Sequence, residues 1–392
     1  MEQNDFLPFS KPTISDAAIQ EVVDCLKSGW ITTGPRVQKL EDMLKAYLHS
    51  PHALTLTTAT AGLHLSLLGC HFNPGDEVIV PAMTFVASLN TIVQAGAKPV
   101  VVDINPKTYN IDIDLIEKNI TPNTKAIMPV HFAGLSVDLD AIYSLAKKHQ
   151  LRVIEDAAQA IGTKYKNQLI GSFGDTQIFS FHPNKNITTG EGGCVTTRDE
   201  KLAKYISCMR FHGIDRNAFN RFSKQGSQHY DVIEAGYKYN MLDMQAALGI
   251  HQLPELEKFN AKRKQLAQRY HELLSGWEEW ILPVDPNHPD SDGHAWHLYT
   301  PLLNLDVTQK KGITRDVFMD KMKLEHNIGI GLHYDPPYLY DFYKKKYGFK
   351  KGDFQHADFV SERIMSLPLF PLMTEQNQDR VIHAMKIIFG RK

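Results

Sequence analysis

Only four cysteines occur in the 392 residues: Cys25, Cys70, Cys194 and Cys208. No pair has C-x-x-C spacing, which excludes the usual thiolate metal and dithiol redox motifs. A long chain with few, scattered cysteines suits a reducing compartment. Charge of one sign is also missing. The 43 Lys and Arg against 44 Asp and Glu leave a formal net charge of -1, so electrostatic capture of nucleic acid or an acidic membrane is not expected. There is no run of about 18 apolar residues, so no membrane span is expected. The opening stretch MEQNDFLPFSKP has acidic and polar residues where a signal peptide needs an apolar core. The phosphate loop G-x-x-x-x-G-K-[ST] is absent too. A cytoplasmic enzyme is the default class that remains.

What is present is the pattern of a globular chain, 43% apolar and 22% charged. The length argues for one large domain and a smaller one. Seven short apolar runs punctuate the first two hundred residues: HALTLTT (52–58), DEVIVPA (76–82), PVVVDI (99–104), KAIMPVHF (125–132), RVIEDAA (152–158), TQIFSFH (176–182) and GGCVTTR (192–198). They are short, mostly β-branched and bounded by polar or turn residues, as buried strands are. Helical stretches such as 59–72, 85–96 and 138–150 separate several of them. This order predicts an α/β fold with a mostly parallel sheet and right-handed crossovers. Beyond residue 199 the texture turns helical, with a break at Pro254. A Pro/Asp/Gly-rich loop follows (283–297), then mixed strands and helices. The expected division is a large domain over 1–250 and a smaller α+β domain over 251–392.

Ligands of open α/β sheets bind beyond the carboxyl ends of the strands, so the residues there carry the functional reading. After HALTLTT a helix opens at ATAG, and its free amides favour an anion. Thr60 and Ala61 are candidates to hold a phosphate, although a simple threonine cap explains the same residues. Asp156 ends a strongly apolar strand, where a carboxylate needs a cation or donors. It suits a protonated ring nitrogen, a metal or a helix cap, and no His or Cys with metal spacing lies nearby. Lys185 follows TQIFSFH on a loop that ends in TGEGG. Partial desolvation there lowers the pKa of an amine and suits Schiff-base chemistry. Taken together, a lysine, a carboxylate and an anion site on one sheet edge are what pyridoxal phosphate requires. Phe85, directly after the second strand, would cover the ring face.

The chain resembles the DegT/DnrJ/StrS family of sugar aminotransferases, which have the aspartate-aminotransferase fold, PLP fold type I. The likeness spans essentially the whole sequence. It rests on GWITTGP (29–35), TTATAGLHLSL (57–67), GDEVIVPAMTFVAS (75–88), VIEDAAQAIG (153–162), FSFHPNKNITTGEGG (179–193) and GYKYNMLDMQAALG (236–249). The resemblance implies a seven-stranded large domain and makes Lys185 the Schiff-base lysine. Asp156 then faces the pyridinium nitrogen, Gln159 the ring or its hydroxyl, and Phe85 stacks on the ring. Thr60, Ala61 and Ser180 hold the phosphate. Relatives have GYNYR where this chain has Lys238 and Asn240, positions that reach the cofactor phosphate of a neighbouring subunit, so a homodimer with shared sites is implied.

Within the family the likeness is to the branch that makes UDP-4-amino-4-deoxy-L-arabinose. It is carried by FLPFSKP, SGWITTGP, HAWHLY, GIGLHY and SERIMSLPLFP, and places His333 at the active site. The chain departs at TTGEGG, where that branch has AEGG. The implied reaction moves an amino group from L-glutamate to C4 of a nucleotide-linked 4-keto sugar: a UDP-4-keto-pentose by this branch, or a UDP- or dTDP-4-keto-6-deoxyhexose. Trp30 and His182 are further substrate candidates, each equally readable as packing, and Arg36 is a candidate cation at the mouth. HAWH (294–297) lacks a third ligand, so no metal is expected. A sister branch with histidine in place of the lysine is disfavoured by Lys185, and a non-catalytic regulator by the intact set.

Overall fold

All seven apolar runs become strands of one sheet in the computed structural model, which describes residues 6–214 and 230–391. In chain order they are β1 (His52–Leu56), β2 (Glu77–Pro81), β3 (Lys98–Val102), β4 (Thr124–Ile127), β5 (Arg152–Asp156), β8 (Thr176–Ser180) and β9 (Gly193–Thr197), with a small hairpin of β6 (Lys164–Tyr165) and β7 (Gln168–Leu169) between. The order across the sheet is β1-β9-β8-β5-β4-β2-β3. β9 runs antiparallel to both neighbours, and the remaining pairs are parallel. The strands read as near-continuous apolar runs because both faces are covered. β2, β8 and β9 are buried at every position.

One core, containing Leu56, Val80, Ile154, Ile178 and Val195, packs on one set of side chains. The alternating set, including Ala53, Ile79, Val153, Phe179 and Cys194, belongs to a second core. Four helices begin the chain order: α1 (Asp16–Lys27), α2 (Pro35–Leu48), α3 (Ala59–Leu68) and α4 (Val86–Gln94). Thr58 caps α3 by accepting a hydrogen bond from the Ala61 N–H at 3.1 Å. α3 is apolar almost all round, as expected of a helix sunk in a core, and among its first nine residues Thr60 alone is exposed.

A third core draws on Leu266, Tyr270, Trp280, Tyr299, Phe318, Leu367 and Phe389. Leu7 belongs to it as well and bridges to Ile328. The break expected at Pro254 is a 3-10 turn (Leu253–Glu255) joining the helices Asp243–Gln252 and Leu256–Leu274. The second of these spans two cores, with Leu256 and Phe259 in the second and Leu266 to Leu274 in the third. The run 297–305 forms less strand than its pattern suggests. Its strand content is β11 (Leu302–Leu303), which pairs with β10 (Trp280–Ile281), and Leu302 also bridges Ile364. The backbone amides of Met365 and Leu367 instead donate to the carbonyls of Pro301 and Tyr299, so tertiary pairing replaces a regular ladder.

Candidate active site

The carboxyl ends of β1, β2, β5 and β8 open into one cavity of about 720 Å³. Its walls include Thr58, Ala59 and Thr60 after β1, Phe85 after β2, Asp156 and Gln159 after β5, and Ser180, His182 and Lys185 after β8. Residues as far apart in sequence as Thr58 and Lys185 therefore converge because a parallel sheet sends its strand ends the same way.

At β1 the open amides are those of Ala59 and Thr60. The Ala61 N–H, one of the two expected there, is already taken by Thr58 Oγ1, and Ala61 does not line the cavity. The register explains the glycines of TGEGG. Gly193 pairs with both Leu56 and Ser180, which brings its backbone against the start of α3. A Cβ at Gly193 would lie 2.5 Å from the Ala59 nitrogen and 2.6 Å from the Thr58 carbonyl carbon. Both are backbone atoms and cannot swing aside. Gly193→Ala is predicted to cost about 1–3 kcal/mol of stability and to weaken phosphate-ester binding at the same helix start. Urea unfolding and cofactor titration measure the two effects, and wild-type values in both would refute this account.

Asp156 is buried and firmly held. Its carboxylate accepts from Ser88 Oγ at 2.7 Å and from the Ala158 N–H at 3.1 Å. Ser88 in turn shares a 2.7 Å hydrogen bond with Thr84. Phe85, the residue before α4, is 54% exposed with its ring on the cavity wall. An exposed phenylalanine at the carboxyl end of a buried strand is a face awaiting a partner ring.

Lys185 sits three residues beyond the pair Phe181–His182, and its N–H donates to the His182 carbonyl. The residue keeps partial exposure at the wall, yet its amine is enclosed. Burial pushes its pKa down to about 8, and the Asp156 charge offsets part of that fall. Among the described residues, no hydrogen bond or ion pair reaches its Nζ. An amine near neutrality and unpaired is a nucleophile in waiting.

The opposite wall comes from a distant segment, Leu332 to Asp335. His333 donates to or accepts from Ser366 Oγ through Nδ1 at 2.8 Å. Burial, then the Lys185 charge, pushes its pKa down to about 3, so it is a neutral imidazole. Gln159 is pinned at both ends. Its Oε1 accepts from the Ala133 N–H at 2.5 Å, and its Nε2 donates to Tyr334 Oη at 2.6 Å. Tyr334 also packs against Phe85, with ring centroids 5.8 Å apart. The sequence reading missed Tyr334, Ser88 and Tyr340. The tyrosine stands next to the His333 that was singled out, which is the signal that pointed to it.

Ser180, His182 and His333 thus join the expected set, and four candidates lie elsewhere. Trp30 donates from Nε1 to the Thr33 carbonyl at 3.1 Å and does not line the cavity. Lys238 lies over the Phe211 ring at 4.1 Å and donates to Asn240 Oδ1 at 2.8 Å, while Asn240 donates to Thr33 Oγ1. Neither faces this chain's own cavity. Arg36 pairs with Glu21 at 2.8 Å. Of the HAWH histidines, His294 stacks on Trp296 and His297 meets Asn186.

The model of the DegT/DnrJ/EryC1/StrS aminotransferase family matches residues 12–386. The chain belongs to this family. It is 44% identical to the spore coat polysaccharide biosynthesis protein SpsC of Bacillus subtilis, over 99% of this chain and 98% of that protein. Among solved structures, the putative sugar aminotransferase Spr1654 of Streptococcus pneumoniae in its PMP form is similar, with 34% identity and a TM-score of 0.88, covering 98% and 99% of the two chains. So is Helicobacter pylori PseC, an aminotransferase involved in pseudoaminic acid biosynthesis, with 28% identity, a TM-score of 0.89 and the same coverage. The protein is a PLP-dependent sugar aminotransferase of fold type I.

The cavity of this family member fits its cofactor. Gly193 leaves backbone room beside two open amides, an enclosed amine has no partner, and a buried carboxylate is held in place. When bound, pyridoxal phosphate supplies an aldehyde for amine exchange and a ring that accepts electrons.

Proposed function

We propose that the enzyme moves an amino group from L-glutamate to C4 of a nucleotide-linked 4-keto sugar, in the making of a surface polysaccharide. The observation that carries this reading is the enclosed, unpaired Lys185 amine facing Asp156 across one cavity. In this reading Lys185 Nζ would hold the cofactor's aldehyde, and the free amine would take and return a proton as base and acid. Asp156 holds the pyridinium proton, and Ser88 with the Ala158 amide keeps that carboxylate aimed. Gln159 contacts the ring hydroxyl, fixed by Ala133 and Tyr334. Phe85 covers the ring. Ser180, Thr60 and the neighbouring amides hold the phosphate. His182 and His333 meet the sugar, the latter as a neutral hydrogen-bonding group.

The relatives' roles in spore coat polysaccharide and pseudoaminic acid synthesis support the polymer context. A UDP-4-keto-pentose is the preferred acceptor, on the shared stretches around His294–Tyr299 and Gly329–Tyr334. A 4-keto-6-deoxyhexose is the second reading, favoured by the departure from the arabinose branch at TTGEGG. Glutamate-dependent assays with UDP-4-keto-pentose beside UDP- and dTDP-4-keto-6-deoxyhexoses separate them. The first is expected to show the higher kcat/KM. A hexose preference removes the pentose assignment, and turnover with none of them removes the nucleotide-sugar reading.

Lys238 and Asn240, turned away from their own cavity, are assigned to the cofactor phosphate of a second copy in a cytoplasmic homodimer. Sedimentation as a monomer at assay concentration would remove that assignment.

A further inference from the structure

A second, much smaller void of about 10 Å³ also touches Lys185. That is room for one water-sized sphere. Three cationic residues line it, Lys11, Lys185 and Arg263, and no Asp or Glu does. Arg263 is the unusual member. It is 2% exposed, on the inner side of the helix Leu256–Leu274. Its Nη1 donates to the carbonyls of His297 and Leu369 at 3.1 and 2.9 Å, but its Nε is buried with no acceptor. No carboxylate pairs with it among the described residues. Burial without a counter-ion pushes its pKa down to about 10.

A buried, unpaired charge is among the costlier things a protein can hold. A second orphan belongs to a residue lining the same void. Thr13 Oγ1 is buried without a partner, although the Thr13 carbonyl accepts from Gln252 Nε2 at 2.7 Å. The Gln252 Oε1 is already taken by the Thr188 N–H. The void therefore offers an unused guanidinium N–H, an unpartnered threonine hydroxyl and positive charge, with no carboxylate among its lining residues. A cation does not fit that set, and a neutral water leaves the charge uncompensated.

We propose that this void is a binding site for a small monovalent anion of halide size, held by Arg263 Nε and Thr13 Oγ1 with Lys11 at its rim. In the cell the fitting ion is chloride. It neutralises Arg263 and sets a fixed negative charge beside Lys185, on a side of the lysine that the large cavity does not supply. The site stands independently of which sugar the enzyme takes.

Crystals of the holoenzyme soaked in sodium bromide test the assignment by anomalous scattering, with a bromide peak expected beside Arg263 and Thr13. In solution, the thermal midpoint of the holoenzyme is expected to rise with chloride or bromide but not with gluconate at equal ionic strength. Thr13→Val keeps the shape and removes the donor, so halide binding read from those curves weakens about tenfold. Lys11→Gln, at an exposed position, weakens it in the same direction. A void without a bromide peak, a peak without halide-dependent stability, or variants that keep the wild-type halide curve each overturn the proposal.

Discussion

Lys185→Ala is expected to lower turnover by about four orders of magnitude or more, since one side chain serves as covalent tether, base and acid. The purified variant should also lose the near-visible absorption that depends on the lysine–cofactor bond. Stopped-assay turnover and a spectrum before and after glutamate measure both. Retention of full turnover would end the reading of the site. The same lysine carries an opposite expectation for stability. In cofactor-free protein its amine is lowered to about 8 from an ordinary 10.5, so the folded state resists holding its proton. Lys185→Met should then be more stable than the natural chain at pH 7, by on the order of 3 kcal/mol. The folded pKa is the lower one and the unfolded chain binds more protons between the two values. Wild-type stability therefore rises from about pH 8 to about 10.5, and the gap to the variant closes over that window. Urea titrations across pH follow it, and a constant gap would show that burial is not what shifts the amine.

Asp156→Asn is expected to be the second largest loss, roughly a hundred- to a thousandfold in turnover. The substitution keeps the shape and removes the charge that holds a ring proton. Asp156→Ala adds a structural cost of about 1–3 kcal/mol, because Ser88 Oγ and the Ala158 N–H lose their acceptor. The split between the two variants is informative. If Asn and Ala lose stability alike and Asn keeps turnover, the carboxylate only caps the turn that follows β5. Fluorescence titration with pyridoxal phosphate separates lost cofactor affinity from lost chemistry.

Much of the fold was legible because the strands are buried on both faces and so are apolar without interruption. Each of the seven runs is a strand within two residues of its expected ends, except KAIMPVHF, whose second half turns away after Ile127. The convergence of Thr60, Asp156 and Lys185 followed from strand ends alone. What stayed hidden depends on contacts that no local pattern encodes. Tyr334 reaches Gln159 across 175 positions. Ser88 is an ordinary helix residue until Asp156 is placed beside it. Thr58 capping, visible only with φ, ψ and hydrogen bonds in hand, moved the open amide from Ala61 to Ala59. Arg263 reads as a surface charge on a helix rich in lysine and arginine, and only the second half of that helix turning into the third core buries it.

The placement of Leu7 bears on how the chain is made. Its backbone N–H donates to the Asn327 carbonyl and its carbonyl accepts from the Gly329 N–H. A ribosome adding roughly 5–20 residues per second leaves that segment without its partner for on the order of tens of seconds. The segment around Leu7 thus stays unpaired until residues 327–329 have been made, and their arrival is what secures it.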